Sequence, residues 1–95
     1  MITHIVLWKL KEENKDQHAM EMKKQLLALK GKIKELIGIQ VMFNMEGTDI
    51  SNFDVMLHTT FASLEDLAIY AAHPEHQKVV SYIKEVVIQR IAIDY

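Results

Sequence analysis

The stretch Ile2-Thr3-His4-Ile5-Val6-Leu7-Trp8-Lys9-Leu10-Lys11 decides the fold. Its β-branched and aromatic centre reads as a strand, and a two-residue period sends His4, Val6, Trp8 and Leu10 to one side and Ile5, Leu7 and Lys9 to the other. Both faces are mostly apolar, so each needs a cover. Working outward, Lys11 to Asp16 is a polar turn, where Asn14 followed three residues later by Gln17 has the form of a capping box. Ala19, Met22, Leu26, Leu29, Ile33 and Leu36 then recur at three- and four-residue intervals, the stripe of a helix buried on one side. Ile39 to Met45 reads as a second strand and Phe53 to Phe61 as a third, with Phe53, Val55, Leu57, Thr59 and Phe61 sharing a face. Ser63, with Asp66 three residues on, opens a second helix with an apolar stripe of Leu64, Leu67, Ala68 and Ala71. Pro74, the only proline, breaks or kinks that helix at His73 and suits the first position of a fresh helical stretch. Val79, Val80, Ile83, Val86 and Val87 carry the continuation inward, and Gln89 to Tyr95 closes the chain as a fourth strand.

The order strand, helix, strand, strand, helix, strand predicts an α+β, ferredoxin-like βαββαβ domain over residues 1 to 95: a four-stranded antiparallel sheet with two helices on one face. The helices leave Ile5, Leu7, Met56 and Met42 on the opposite side, too much apolar surface for a small domain to keep wet. A chain of 95 residues without cysteine has a thin stability margin, and a second copy packed on that face covers it. The expected partner is therefore the chain itself, a homodimer through the open sheet face.

Eleven basic and 13 acidic residues give a net charge of -2, and lysines alternate with glutamates instead of forming a basic stripe. Nucleic acid is excluded as an expected partner on that ground. The opening apolar run of Ile5 to Trp8 is too short for a leader, and no segment has the length of a membrane span. Together with the missing cysteines this leads us to expect a cytoplasmic protein without a membrane partner. Three glycines, Gly31, Gly38 and Gly47, form no phosphate-binding loop, and His73, Glu75 and His76 lack a further ligand at recognisable spacing. No metal and no cofactor are expected.

The opening strand, the Phe53-Asp54-Val55-Met56-Leu57 strand running to Phe61, and Tyr70-Ala71-Ala72-His73-Pro74-Glu75-His76 together resemble the stress-responsive A/B barrel domain family. The likeness covers essentially the whole chain, and its most specific mark is the His-Pro-x-His step after an aromatic. It implies a dimeric α+β barrel, and it places the chain beside stress proteins without established chemistry and beside a plant polyketide cyclase that makes olivetolic acid. In that cyclase the second histidine of the step is the general base and a preceding tyrosine positions the substrate, positions matched here by His76 and Tyr70. The cyclase's first-strand histidine is matched by His4, whereas Val55 stands where it carries another histidine.

From the residues alone, His76 in a first helical turn faces a dipole that disfavours its cation and keeps the ring a neutral base. The alternative is that His73 caps the helix and His76 bonds locally to hold the kink. Tyr70 is six residues earlier, roughly 240° around an unbroken helix, so only a kink brings the two together. The candidate catalytic pair is His76 and Tyr70. The candidate ligand-binding residues are His4, Trp8, Val55, Leu57 and His73, around a small apolar pocket. Two functions fit: a homodimeric domain with a small apolar pocket that binds a small molecule or stabilises a larger assembly without turnover, or an enzyme acting on a small carbonyl compound with His76 as general base and Tyr70 orienting an oxygen.

Overall fold

A computed structural model describes all 95 residues, Met1 to Tyr95. Strand β1 (Ile2–Leu10) leads to helix α1 (Lys15–Ala28), a 3-10 turn at Leu29–Gly31, β2 (Gly38–Phe43), β3 (Val55–Phe61), α2 (Leu64–Ala72), α3 (Pro74–Val86) and β4 (Val87–Asp94). The sheet order is β2-β3-β1-β4, and every pairing is antiparallel. The sheet is open, with β2 and β4 as its edges. The βαββαβ order and the antiparallel sheet follow the expected ferredoxin-like arrangement, with the second helix divided in two at the proline.

The helices pack on the face carrying Val6, Trp8, Leu10, Val41, Val55, Leu57 and Phe61, all buried. Met22, Leu26 and Leu29 meet it from α1 and the turn after it, Tyr70 from α2, and Val79, Ile83 and Val86 from α3. Ile33 and Leu36 are equally buried, yet they lie beyond the end of α1, so the apolar stripe outlasts the helix that the period implied. The stripe on α2 also differs from expectation. Tyr70 is its buried residue, Leu67 is only partly buried, and Leu64, Ala68 and Ala71 are exposed. A nine-residue helix ending at a kink presents to the core only what the kink turns inward.

The two capping signals part company. The Ser63 hydroxyl accepts from the Asp66 N–H at 3.1 Å and starts α2, as a Ser N-cap should. Asn14 sits in the left-handed region, φ 55°, and its side chain caps nothing. Asparagine is tolerated there by virtue of its short polar side chain, so a residue that fits a cap by type serves here as a turn.

One irregularity aims β4. Leu10 pairs with Val87 and Lys9 with Gln89, so β1 advances one residue while β4 advances two. Ile88 is the extra residue of a β-bulge, and a bulge reverses which side every later residue faces. Beyond it, Arg90 pairs with Trp8, Ala92 with Val6 and Asp94 with His4, while Ile91 and Ile93 pair with Leu7 and Ile5. Cross-strand partners share a face. Arg90, Ala92 and Asp94 therefore join the helix side, and Ile91 and Ile93 extend the open side, where Met42 is 48% exposed and Ile93 59%.

Candidate functional site

The His73-Pro74 step builds the site. His73 has extended backbone, and its Nδ1 accepts from the Glu75 N–H at 3.1 Å, so the ring is the N-cap of α3. Pro74 occupies the first helical position, where a missing N–H costs nothing. Leaving α2 and entering α3 at this corner brings the Tyr70 and His76 rings to a centroid distance of 4.3 Å at 43°. The Tyr70 ring also packs on Phe61, 5.0 Å away. The kink thus makes the contact that an unbroken helix denies.

His76 Nδ1 lies 3.0 Å from the Ala71 carbonyl. A carbonyl only accepts, so Nδ1 carries the hydrogen and Nε2 keeps its lone pair. Burial chiefly, and then the nearby positive groups His4, Arg90 and His73, hold the His76 pKa below its usual value, against the opposing pull of the Ala71 carbonyl. The ring is neutral near pH 7. Tyr70 is 1% exposed, and its hydroxyl has no hydrogen-bond partner within the chain. Burial drives its pKa upward, so the hydroxyl stays protonated.

His4 arrives from β1 and hydrogen-bonds Asp94 of β4 through Nδ1. Thr59 donates to the His4 carbonyl at 2.9 Å and fixes the backbone there. His76, in the first turn of α3, is close enough to His4 and Arg90 for their charges to act on it. On β4, Ala92 stands between Arg90 and Asp94 and pairs with Val6 of β1. Ala92 is exposed although it faces the helices, so only a methyl group covers this part of the β4 edge.

Of the residues singled out in the sequence, Tyr70, His76 and His73 meet at the corner, and His4 is near enough for its charge to act on His76. Trp8, Val55 and Leu57 are 5%, 2% and 2% exposed and, like Tyr70, sit inside the core cluster. Arg90, Ala92 and Asp94 are functional candidates that sequence reasoning missed. Their alternation along the strand was visible, but their side was not, because the bulge sets it. A separate cleft of about 440 Å³ between α1 and the β2–β3 connection, with Ala19, Met20, Phe43 and Ile50 in its lining, contains none of these residues.

The His76 shift has a measurable consequence. Its pKa is lowered on folding, so the unfolded chain binds more protons near and below the unfolded value of about 6.5. Stability from this group is complete above about 6.5 and is lost as pH falls from there through the folded value. Urea unfolding of wild type and His76→Ala as a function of pH should show the wild-type curve falling more steeply in that window. Parallel curves would place the ring in water.

These features define an α+β domain of ferredoxin-like fold with a histidine cluster at the corner between α2 and α3. The family model of the stress responsive A/B barrel domain matches residues 2–95, and the chain belongs to that family. Two Arabidopsis thaliana relatives are likewise described as stress-response A/B barrel domain-containing proteins. The first is 35% identical over 80 residues, 84% of this chain and 30% of that protein. The second is 27% identical over 110 residues, all of this chain and 46% of that protein. The chain thus spans less than half the length of either. A dimeric protein of unknown function and ferredoxin-like fold from Bacteroides fragilis is 32% identical, with a TM-score of 0.90 over 99% of this chain and 93% of that one.

Proposed function

We propose that residues 1 to 95 act as one domain which pairs with a second copy through its open sheet face and binds a small carbonyl-bearing molecule beside His76. The buried Tyr70 hydroxyl without a partner, under the His76 ring, carries the binding reading. An unpaired buried hydroxyl costs about 1 to 3 kcal/mol, and a ligand oxygen that accepts from it once the His76 ring gives way removes that cost. The dimer rests on the apolar strip of Ile5, Leu7, Met42, Met56, Ile91 and Ile93, and on the dimeric Bacteroides fragilis relative. The absence of cysteine suits a reducing cytoplasm, and the near-balanced charge favours neither nucleic acid nor an anionic membrane. No helix is long and apolar enough to cross a membrane.

Replacing Tyr70 by Phe separates ligand binding from packing. Loss of the unpaired hydroxyl should leave the ligand-free protein equally stable or more stable, by about 1 kcal/mol in urea. Binding of methyl propyl ketone, followed by NMR shifts at His76, should weaken several-fold. A clear loss of ligand-free stability would mean that the hydroxyl already has its partner in the fold, and the binding role would go with it.

The same geometry suits proton abstraction, and the free Nε2 of a neutral His76 favours it. Nε2 takes a proton from the carbon next to a carbonyl. The C–H pair becomes the enolate double bond, and the carbonyl π pair moves onto oxygen, which accepts from the Tyr70 hydroxyl.

A further inference from the structure

Arg90 is the only arginine among the 11 basic residues, and nothing in the fold uses it. It forms no ion pair. The one acidic side chain on its strand face, Asp94, is bonded to His4. What brings Arg90 to the helix side is the bulge at Ile88. With a regular register β4 would turn Arg90 to the open sheet face, among Leu7 and Met56. The bulge instead sets it beside Trp8, two residues and roughly 7 Å along the strand from Ala92. Bulges commonly re-aim a side chain next to a site.

The geometry points to Arg90 as the specificity residue of the site beside His76, pairing with a carboxylate on the ligand while the ligand's carbonyl lies against the His76 ring. A planar guanidinium suits a carboxylate bidentately, where a lysine offers only a point charge. Charge selects a monoanion over a phosphate dianion, because Asp94 lies on the same strand face and opposes a second negative charge. The ligand class is therefore a short oxo monocarboxylate. The positive charge of Arg90 is among the lesser causes that lower the His76 pKa, in keeping with its place on the same side of the sheet. This rests on the ligand binding beside His76, and the test separates the two claims.

Levulinate, its methyl ester and methyl propyl ketone serve as probes, titrated against the whole chain at low salt with His76 and Arg90 followed by NMR. Wild type should bind levulinate roughly tenfold more tightly than the ester. Arg90→Gln should erase that preference while leaving ester and ketone binding unchanged, and Arg90→Lys should restore part of it. Circular dichroism melts of each variant should match wild type, since an exposed edge-strand side chain contributes little packing. If ester and acid bind equally with shifts at His76, the site beside His76 stands and the role of Arg90 is overturned. If levulinate binds without shifting His76, or the preference survives Arg90→Gln, the carboxylate is held elsewhere and the proposal also fails. If no probe shifts His76 at tens of millimolar, the ligand does not bind beside His76 and both claims fall.

Discussion

Leu7→Asp is expected to convert a particle of about 22 kDa (2 × 11.0 kDa) into a monomer or an unfolded chain. Leu7 stands between Met56 of β3 and Ile91 of β4 in the middle of the open sheet face. In a two-fold dimer every residue of the contact appears twice, so one substitution introduces two carboxylates into the same apolar interface. An uncompensated buried charge costs about 3 to 5 kcal/mol, enough to weaken association by two to three orders of magnitude. Sedimentation at micromolar concentration should show the change directly. Lys24→Asp on the exposed flank of α1 should leave the mass untouched. A Leu7→Asp protein that remains a stable dimer would move the interface to another surface. A wild-type chain that is folded and monomeric would remove the homodimer altogether.

His76→Ala should abolish proton exchange on a bound ketone while hardly altering the fold. If the proposed proton abstraction holds, methyl propyl ketone incubated with wild type in deuterated buffer should lose its α-proton NMR signals as Nε2 removes protons and solvent returns deuterons. A positioned general base contributes about a hundred- to ten-thousandfold, so the protein-dependent exchange should drop to background in the variant. The His76 ring is half buried, and its contacts are the Tyr70 ring and one hydrogen bond to the Ala71 carbonyl. Gln77 also donates to that carbonyl, at 2.6 Å, so the corner keeps a tie when the histidine goes. The expected loss of stability is about 1 kcal/mol. Exchange that is equal in both proteins would leave His76 as a brace of the kink and the protein as a non-catalytic binding domain. A large loss of stability would give the ring a structural role of the kind its hydrogen bond already suggests.

Strand and helix order, the open apolar face and the break at Pro74 were legible because each depends on local periodicity or on one residue's covalent geometry. The family resemblance, not periodicity, singled out Tyr70 with His76, and local logic added only His73 as a cap at the kink. That logic failed at Asn14, whose type suits both a cap and a left-handed turn; only the surrounding chain decides between them. It also grouped Trp8, Val55 and Leu57 around a pocket, and all three are buried in the core cluster, as Tyr70 is. Alternation along a strand says that a side chain faces the helices, not whether a helix leaves room above it.

By itself the sequence determined the βαββαβ order, the surface left for a partner and the kinked histidine corner. The tertiary structure alone decided that Tyr70 and His76 touch, that the tyrosine hydroxyl is left without a partner, and that Arg90 and Asp94 share the side of His76. The physical reason is the range of the interactions. Helix and strand periods, proline geometry and caps act within a few residues, whereas the side that β4 presents depends on its pairing with β1, about 80 residues away in the chain. One extra residue in that pairing reverses the facing of the whole strand.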